Sequence, residues 1–237
     1  MCVSAPYAIP VIANAVRQIQ PRSILDVGVG FGKYGVLFRE YLDVWSAGSL
    51  AQTRKESWRT RIEGVEVYPE YLTLLHEFIY DKVHVGGILD VIDGLGSYDL
   101  IFMADVLEHF DKADGERLIG KLYDHADKCV LLTYPKNAKP RRGFHGNDAE
   151  AHRSTWTRAD FRSFEPVGYT TVEDRADVAA IAKPPHNTPF LVACMAARRR
   201  TGWKGTLARA LVRSIGPSAA SAVAGALLGR SVALRAE

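Results

Sequence analysis

Three features of the sequence predict an α/β fold built on a mostly parallel sheet. Short apolar strands alternate with amphipathic helical segments through most of the chain, the pattern of units whose helices cover both faces of a sheet. Gly28, Gly30 and Gly32 alternate between an apolar strand and a helix, where the absence of Cβ permits a tight turn and close backbone approach to a ligand. Chemistry-bearing residues recur just after further strands, at Glu66, Gly87–Ile88 and Asp105–His109, and open α/β sheets bind ligands beyond the carboxyl ends of their strands.

The elements follow in order. Residues 6–19 have apolar positions at helical spacing. Ser23–Val27 (SILDV) is a short buried strand, and a helix runs from about Lys33 to Leu42. Residues 43–60 are polar with scattered tryptophan and predict a long loop. Ile62–Val67, Val83–Val85, Tyr98–Met103 and Cys129–Thr133 supply four more strands, with helices over Tyr71–Tyr80 and Glu116–Ala126. Asp105–Phe110 begins a further helical segment. Residues 134–156 form a long loop containing Pro, Gly and His, a size that usually carries function. Thr157–Phe164 is a short helix, and Val167–Val172 with Phe190–Ala196 form a closing pair of strands.

Composition bounds the class. The 237 residues are 47% apolar and 24% charged, which suits one α/β domain with additions rather than disorder. Cys2, Cys129 and Cys194 are odd in number and far apart, so neither a disulfide framework nor a zinc knuckle is expected, and a reducing, cytoplasmic setting is. The first residues lack the basic start and apolar run of a signal peptide. The net charge of +3 is uneven: residues 198–237 hold eight Lys/Arg and one acid, so residues 1–197 are mildly acidic. The basic overall charge is therefore no argument that the body binds nucleic acid.

Asp26, Gly28, Gly30 and Gly32 (Asp-Val-Gly-Val-Gly-Phe-Gly) resemble the D-x-G-x-G-x-G motif of class I S-adenosylmethionine-dependent methyltransferases. The resemblance implies a Rossmann-like seven-stranded, mostly parallel sheet with helices on both faces and the last strand antiparallel. It implies S-adenosylmethionine as cofactor, held by the glycine loop and by Glu66, whose carboxylate would accept both ribose hydroxyls. Asp26 would orient the loop or meet a positive group. Gly87 stands where many members carry Asp, so adenine would be met by the backbone near Ile88 or by Asp90. A dinucleotide fingerprint, G-x-G-x-x-G, also matches at Gly30, Gly32 and Gly35. It fits less well, because Gly28 already occupies the strand end and the ribose acid should follow by about 20 residues, whereas Glu66 lies far beyond.

Asp105-Val-Leu-Glu108-His109 resembles the segment that borders the reactive methyl group in many small-molecule methyltransferases. His109 can take a proton near neutral pH. Two readings of the segment stand side by side. Asp105 and Glu108 have capping-box spacing. Alternatively, Asp105, Glu108 and His109 share one helix face and, with His152, would hold Mg²⁺, Mn²⁺ or Zn²⁺. The pairing with the later His152-Arg-Ser-Thr-Trp156-Thr resembles small-RNA terminal 2′-O-methyltransferases and ubiquinone-pathway O-methyltransferases, whose similar residues hold a divalent metal. Without metal, His152 would contact the acceptor or, with its neighbours, cap the helix that starts at Thr157. Gly146-Asn-Asp-Ala-Glu-Ala-His-Arg-Ser-Thr-Trp156 also resembles a bacterial methyltransferase group with a G-N-x-x-E-x-H-x-S-x-W signature.

Residues 1–197 are thus expected to form the methyltransferase domain and 198–237 a basic amphipathic helical tail. Leu207, Leu211, Val212 and Ile215 share one helical face, and such a helix can lie on an anionic membrane. The longest uncharged run, residues 214–229, is too short to span one. The expected reaction is O-methylation of a small molecule or glycan. An RNA 2′-O-methyltransferase and a non-catalytic S-adenosylmethionine-binding protein are the rivals.

Overall fold

The computed structural model describes residues 4–144, 146–164 and 167–186. Its centre is a seven-stranded sheet made of β1 (Ser23–Val27), β2 (Arg61–Glu66), β3 (Lys82–Val85), β4 (Tyr98–Ala104), β5 (Ala126–Pro135), β6 (Val167–Val172) and β7 (Ala176–Ala182). The order across the sheet is β3-β2-β1-β4-β5-β7-β6. The pairs among β1–β5 are parallel, and β7 runs antiparallel to both β5 and β6. The expected mixed sheet with an antiparallel last strand is therefore present.

Strand side chains alternate between the two faces, and each face has its own core. Leu100 and Phe102 of β4 pack with Ile12, Val16, Tyr34 and Phe38, from α1 (Ile9–Ile19) and α2 (Lys33–Arg39), and with Ile79 of α3 (Leu74–Ile79). Ile101 and Met103 pack on the opposite face with Ile88 of α4 (Ile88–Val91), Leu118, Ile119 and Leu122 of α5 (Lys112–His125), and Trp156 and Phe161. The order reverses between β1 and β4, which opens a crevice at their carboxyl ends.

The loop expected over 43–60 contains short helical turns at Leu50–Thr53 and Lys55–Ser57. Arg39 explains how it is held. This fully buried guanidinium donates to Asp43, Asp81 and the carbonyls of Thr60 and Ile79, beneath the Trp58 ring.

Val167–Val172 pairs with Ala176–Ala182, and Phe190–Ala196, the partner expected for it, lies outside the described residues together with the tail 198–237. One expectation is corrected. No α-helix forms over Asp105–Phe110. Asp105 adopts a left-handed conformation (φ 54°), and only one 3₁₀ turn follows, Leu107–His109. The Asp105 carboxylate accepts from Thr133 Oγ1 (2.7 Å) and the Ala5 amide (3.1 Å) and makes no cap on the turn. Among the described residues no helix is long and apolar enough to cross a membrane.

Packing beneath the crevice is tight at one testable point. A Cβ on Gly115 of α5 would lie 2.3 Å from Trp156 Cζ2. Gly115→Ala should therefore cost about 1–3 kcal/mol through overpacking, read as a lower urea midpoint. An unchanged midpoint would show that Trp156 can move aside freely.

Candidate functional site

The glycine loop is shaped by its neighbours as much as by its own residues. Gly28, Gly30 and Gly32 all have positive φ (77°, 52° and 80°), a region costly for residues with a Cβ. At Gly28 a Cβ would also strike Val106, at 2.5 Å. The Gly28 amide donates to Val65 O (2.9 Å) and the Gly30 amide to Glu66 Oε2 (2.9 Å), while Glu66 Oε1 accepts from the Tyr68 amide (3.0 Å). Burial pushes the Glu66 carboxyl above its ordinary value, against these amide donors.

His76 holds the other side of the loop. Its Nδ1 accepts from the Thr73 amide (3.0 Å), so Nε2 carries the proton and donates to Gly30 O (2.9 Å). This buried histidine was not anticipated. The Thr-x-x-His spacing was its only sequence signal, and the structure makes it a capping box.

Asp26 and Gly32 lie behind the residues that line the cavity. Asp26 accepts from Tyr80 Oη (2.6 Å), and burial raises its carboxyl to about 7. It supports the loop from behind. Gly32 turns the chain into α2 beside His76.

The crevice holds a cavity of about 600 Å³. Gly28, Gly30, Glu66, Gly87, Ile88 and Asp90 line it from β1, β2 and β3, and Asp105, Glu108, His109 and His152 from the β4 end and the long loop. Gly87 has an ordinary φ of −65° and leads into α4, so no backbone constraint demands glycine there.

Residues 136–144 and 146–156 cross this edge as a lid. Arg141 pairs with His152, and Glu108 O accepts from the Arg153 (2.8 Å) and Ser154 (3.1 Å) amides. Tyr71 Oη donates to Glu150 Oε1 (3.2 Å) and accepts from Asn147 Nδ2 (3.2 Å). Trp156 Nε1 donates to Leu107 O (3.1 Å) and anchors the far end. The lid thereby brings His152 beside His109, with ring centroids 5.1 Å apart.

Ligand atoms of Glu108, His109 and His152 all lie within 4.8 Å of one another. Asp105 is absent from this group, because Thr133 and Ala5 occupy its carboxylate. His109 Nδ1 faces Ala151 O (3.1 Å) and His152 Nδ1 faces Lys139 O (3.2 Å). A carbonyl only accepts, so each Nδ1 carries the proton and each neutral ring keeps its Nε2 lone pair free. Burial lowers both imidazole pKa values, favouring that neutral form. Glu108 is buried, its Oε2 has no hydrogen-bond partner, and burial lifts its carboxyl to about 8. Two free imidazole nitrogens and one unpaired carboxyl oxygen are a chemically suitable donor set for a divalent cation.

Solved structures share this architecture. The N-terminal domain of EvdMO1 with SAH bound matches at a TM-score of 0.54 and 14% identity, over 76% of this chain and 82% of that one. The same domain in the presence of SAH and D-fucose matches at 0.52 and 15%, over 73% and 82%. The chain shares its fold with these SAH-bound domains. An O-methyltransferase from Bacillus cereus in complex with SAH matches at 0.46 and 15%, over 76% and 83%. No family model matches the sequence, and neither does any curated protein.

The unpaired Glu108 gives a stability prediction. Its proton is held to about pH 8, against an ordinary value of 4.5. A raised folded-state pKa stabilises fully below the unfolded value, and that contribution is lost as pH rises through the folded one. Chelator-treated protein should therefore lose stability between those limits. Glu108→Gln should flatten the loss and be more stable by about 1–3 kcal/mol at the upper limit, measured by urea unfolding. Parallel pH profiles for the two proteins would contradict the assignment.

Proposed function

We propose that this protein transfers the methyl group of S-adenosylmethionine to a hydroxyl oxygen of a small molecule or glycan. The observation that carries the reading is one cavity with the glycine loop and Glu66 at one end and Glu108, His109 and His152 at the other. Gly28 and Gly30 would let the cofactor approach the backbone. Glu66, with two amide bonds already made, has lone pairs left for ribose hydroxyls. Gly87, Ile88 and Asp90 would border adenine.

Methyl transfer is an in-line displacement in which the acceptor oxygen forms a bond to the methyl carbon as the carbon–sulfur bond breaks. Fixing donor and acceptor in line supplies about 7–11 kcal/mol of the barrier. The hydroxyl proton must leave. Neutral His109, held by Ala151 O, presents Nε2 as the acceptor for it. His152, carried over by the lid, would orient the hydroxyl.

The same three side chains would hold Mg²⁺, Mn²⁺ or Zn²⁺. A bound cation would supply positive charge that acidifies the acceptor hydroxyl. His109 Nε2 has one lone pair, so it serves either the proton or the metal. Activity that survives chelation favours the base, and activity restored only by added Mn²⁺, Mg²⁺ or Zn²⁺ favours the ligand.

The mildly acidic body of residues 1–197 favours a small acceptor over RNA. A protein that merely stores the cofactor would have no use for an unpaired buried carboxyl beside two free imidazole nitrogens. The tail offered for membrane contact lies outside the described residues.

An acceptor screen with labelled cofactor tests the reading. Glu66→Ala should raise the Kd for S-adenosylmethionine at least tenfold in calorimetry, and unchanged affinity would remove its ribose role. Once an acceptor is found, His109→Ala should lower kcat by about 10²–10⁴. Full activity in that variant would make His109 a packing residue.

A further inference from the structure

Lys33 follows the glycine loop directly, and its side chain enters the same cavity. It is a half-buried ammonium, and burial lowers its pKa. Among the described residues no carboxylate forms an ion pair with it. Asp105 and Asp26 act on it only at longer range, and both are engaged elsewhere, by Thr133 with Ala5 and by Tyr80. Its contacts are the Ser4 carbonyl, to which it donates, and the Tyr34 ring, whose centroid lies 4.9 Å from Nζ. An ammonium has three protons, and among the described residues one hydrogen bond to a carbonyl leaves it short of both partners and countercharge.

Ser4 and Ala5 line the cavity beside Lys33. Lys33 grips it through the Ser4 carbonyl and Asp105 through the Ala5 amide. An elongated ligand whose sugar reaches Glu66 and whose reacting centre reaches Glu108 and His109 would extend its remaining end into this region. A desolvated cation there favours a negatively charged end.

We propose that Lys33 is the anchor for the α-carboxylate of the cofactor's amino-acid portion, with Ser4 orienting the ammonium. The proposal rests on the reading of the cavity as an S-adenosylmethionine site. In this role Lys33 is a positioning residue: by fixing the amino-acid end it sets where the sulfonium methyl points. An ammonium–carboxylate hydrogen bond formed out of water is worth enough to be read directly in affinity.

The test compares two probes, S-adenosylhomocysteine and 5′-methylthioadenosine, which share the thioether-linked adenosine but differ in the amino-acid end. Both would be titrated by calorimetry into the full-length protein, Lys33→Gln and Lys33→Arg. The expected result is a loss of about tenfold or more in S-adenosylhomocysteine affinity for Lys33→Gln, with methylthioadenosine affinity unchanged. Lys33→Arg, which keeps the charge, should recover most of the difference. Equal weakening of both probes would overturn the proposal and leave Lys33 as a support for the Ser4–Ala5 segment. Unchanged binding of both in Lys33→Gln would overturn it as well. If the unaltered protein binds neither probe, the cofactor reading itself fails and the proposal falls with it, an outcome distinct from the other two. Methylthioadenosine binding also reports that Lys33→Gln is folded.

Discussion

The hydrogen bond from the Gly30 amide to Glu66 joins residues 36 positions apart in the chain and ties the end of β1 to the end of β2. Without a buried acceptor there, the left-handed turn at Gly28–Gly32 would leave an amide unsatisfied in a desolvated crevice. With it, the loop is held open in one conformation, braced from below by His76 and from behind by Asp26 and Tyr80. The cavity exists because this turn stands clear of the sheet, at the place where strand order reverses. The lid depends on it in turn: Phe31 at the loop tip stacks on Tyr71, and Tyr71 holds Asn147 and Glu150.

The same crevice concentrates groups that do not favour folding. Asp26, Glu66 and Glu108 are all buried, and burial raises the pKa of each. Asp105 is held in a conformation that non-glycine residues seldom adopt. Polar groups without full partners and unusual backbone torsions tend to collect where ligands bind, and the rest of the fold must offset their cost. Here the two apolar cores do so, one on each face of the sheet.

Local pattern made much of this readable. Ser23–Val27 is a strand with the expected bounds, and β2–β5 fall within a few residues of expectation, because apolar runs bounded by polar turns carry a local signal. Glu66, Glu108, His109 and His152 stand out in the sequence and all line one cavity. What stayed hidden depends on distant partners. Asp105 and Glu108 have the spacing of a helix cap, but Thr133, 28 residues on, captures the aspartate. The strand Ala176–Ala182 is rich in alanine, a residue depleted in strands, and only its pairing with β5 and β6 identifies it. His76 and Lys33 sit on ordinary-looking helices, and their importance appears only when the loop and the cavity are seen beside them.

The chemistry proposed for the far end of the cavity presupposes what Glu66 and the glycine loop hold. Calorimetric titration of the purified full-length protein with S-adenosylmethionine, beside a parallel titration with NAD, addresses that directly. Saturable binding of S-adenosylmethionine at one site per chain, with no saturable heat from NAD, is the expected result. Absence of S-adenosylmethionine binding with and without Mn²⁺ or Mg²⁺, or saturable binding of NAD in its place, would contradict it.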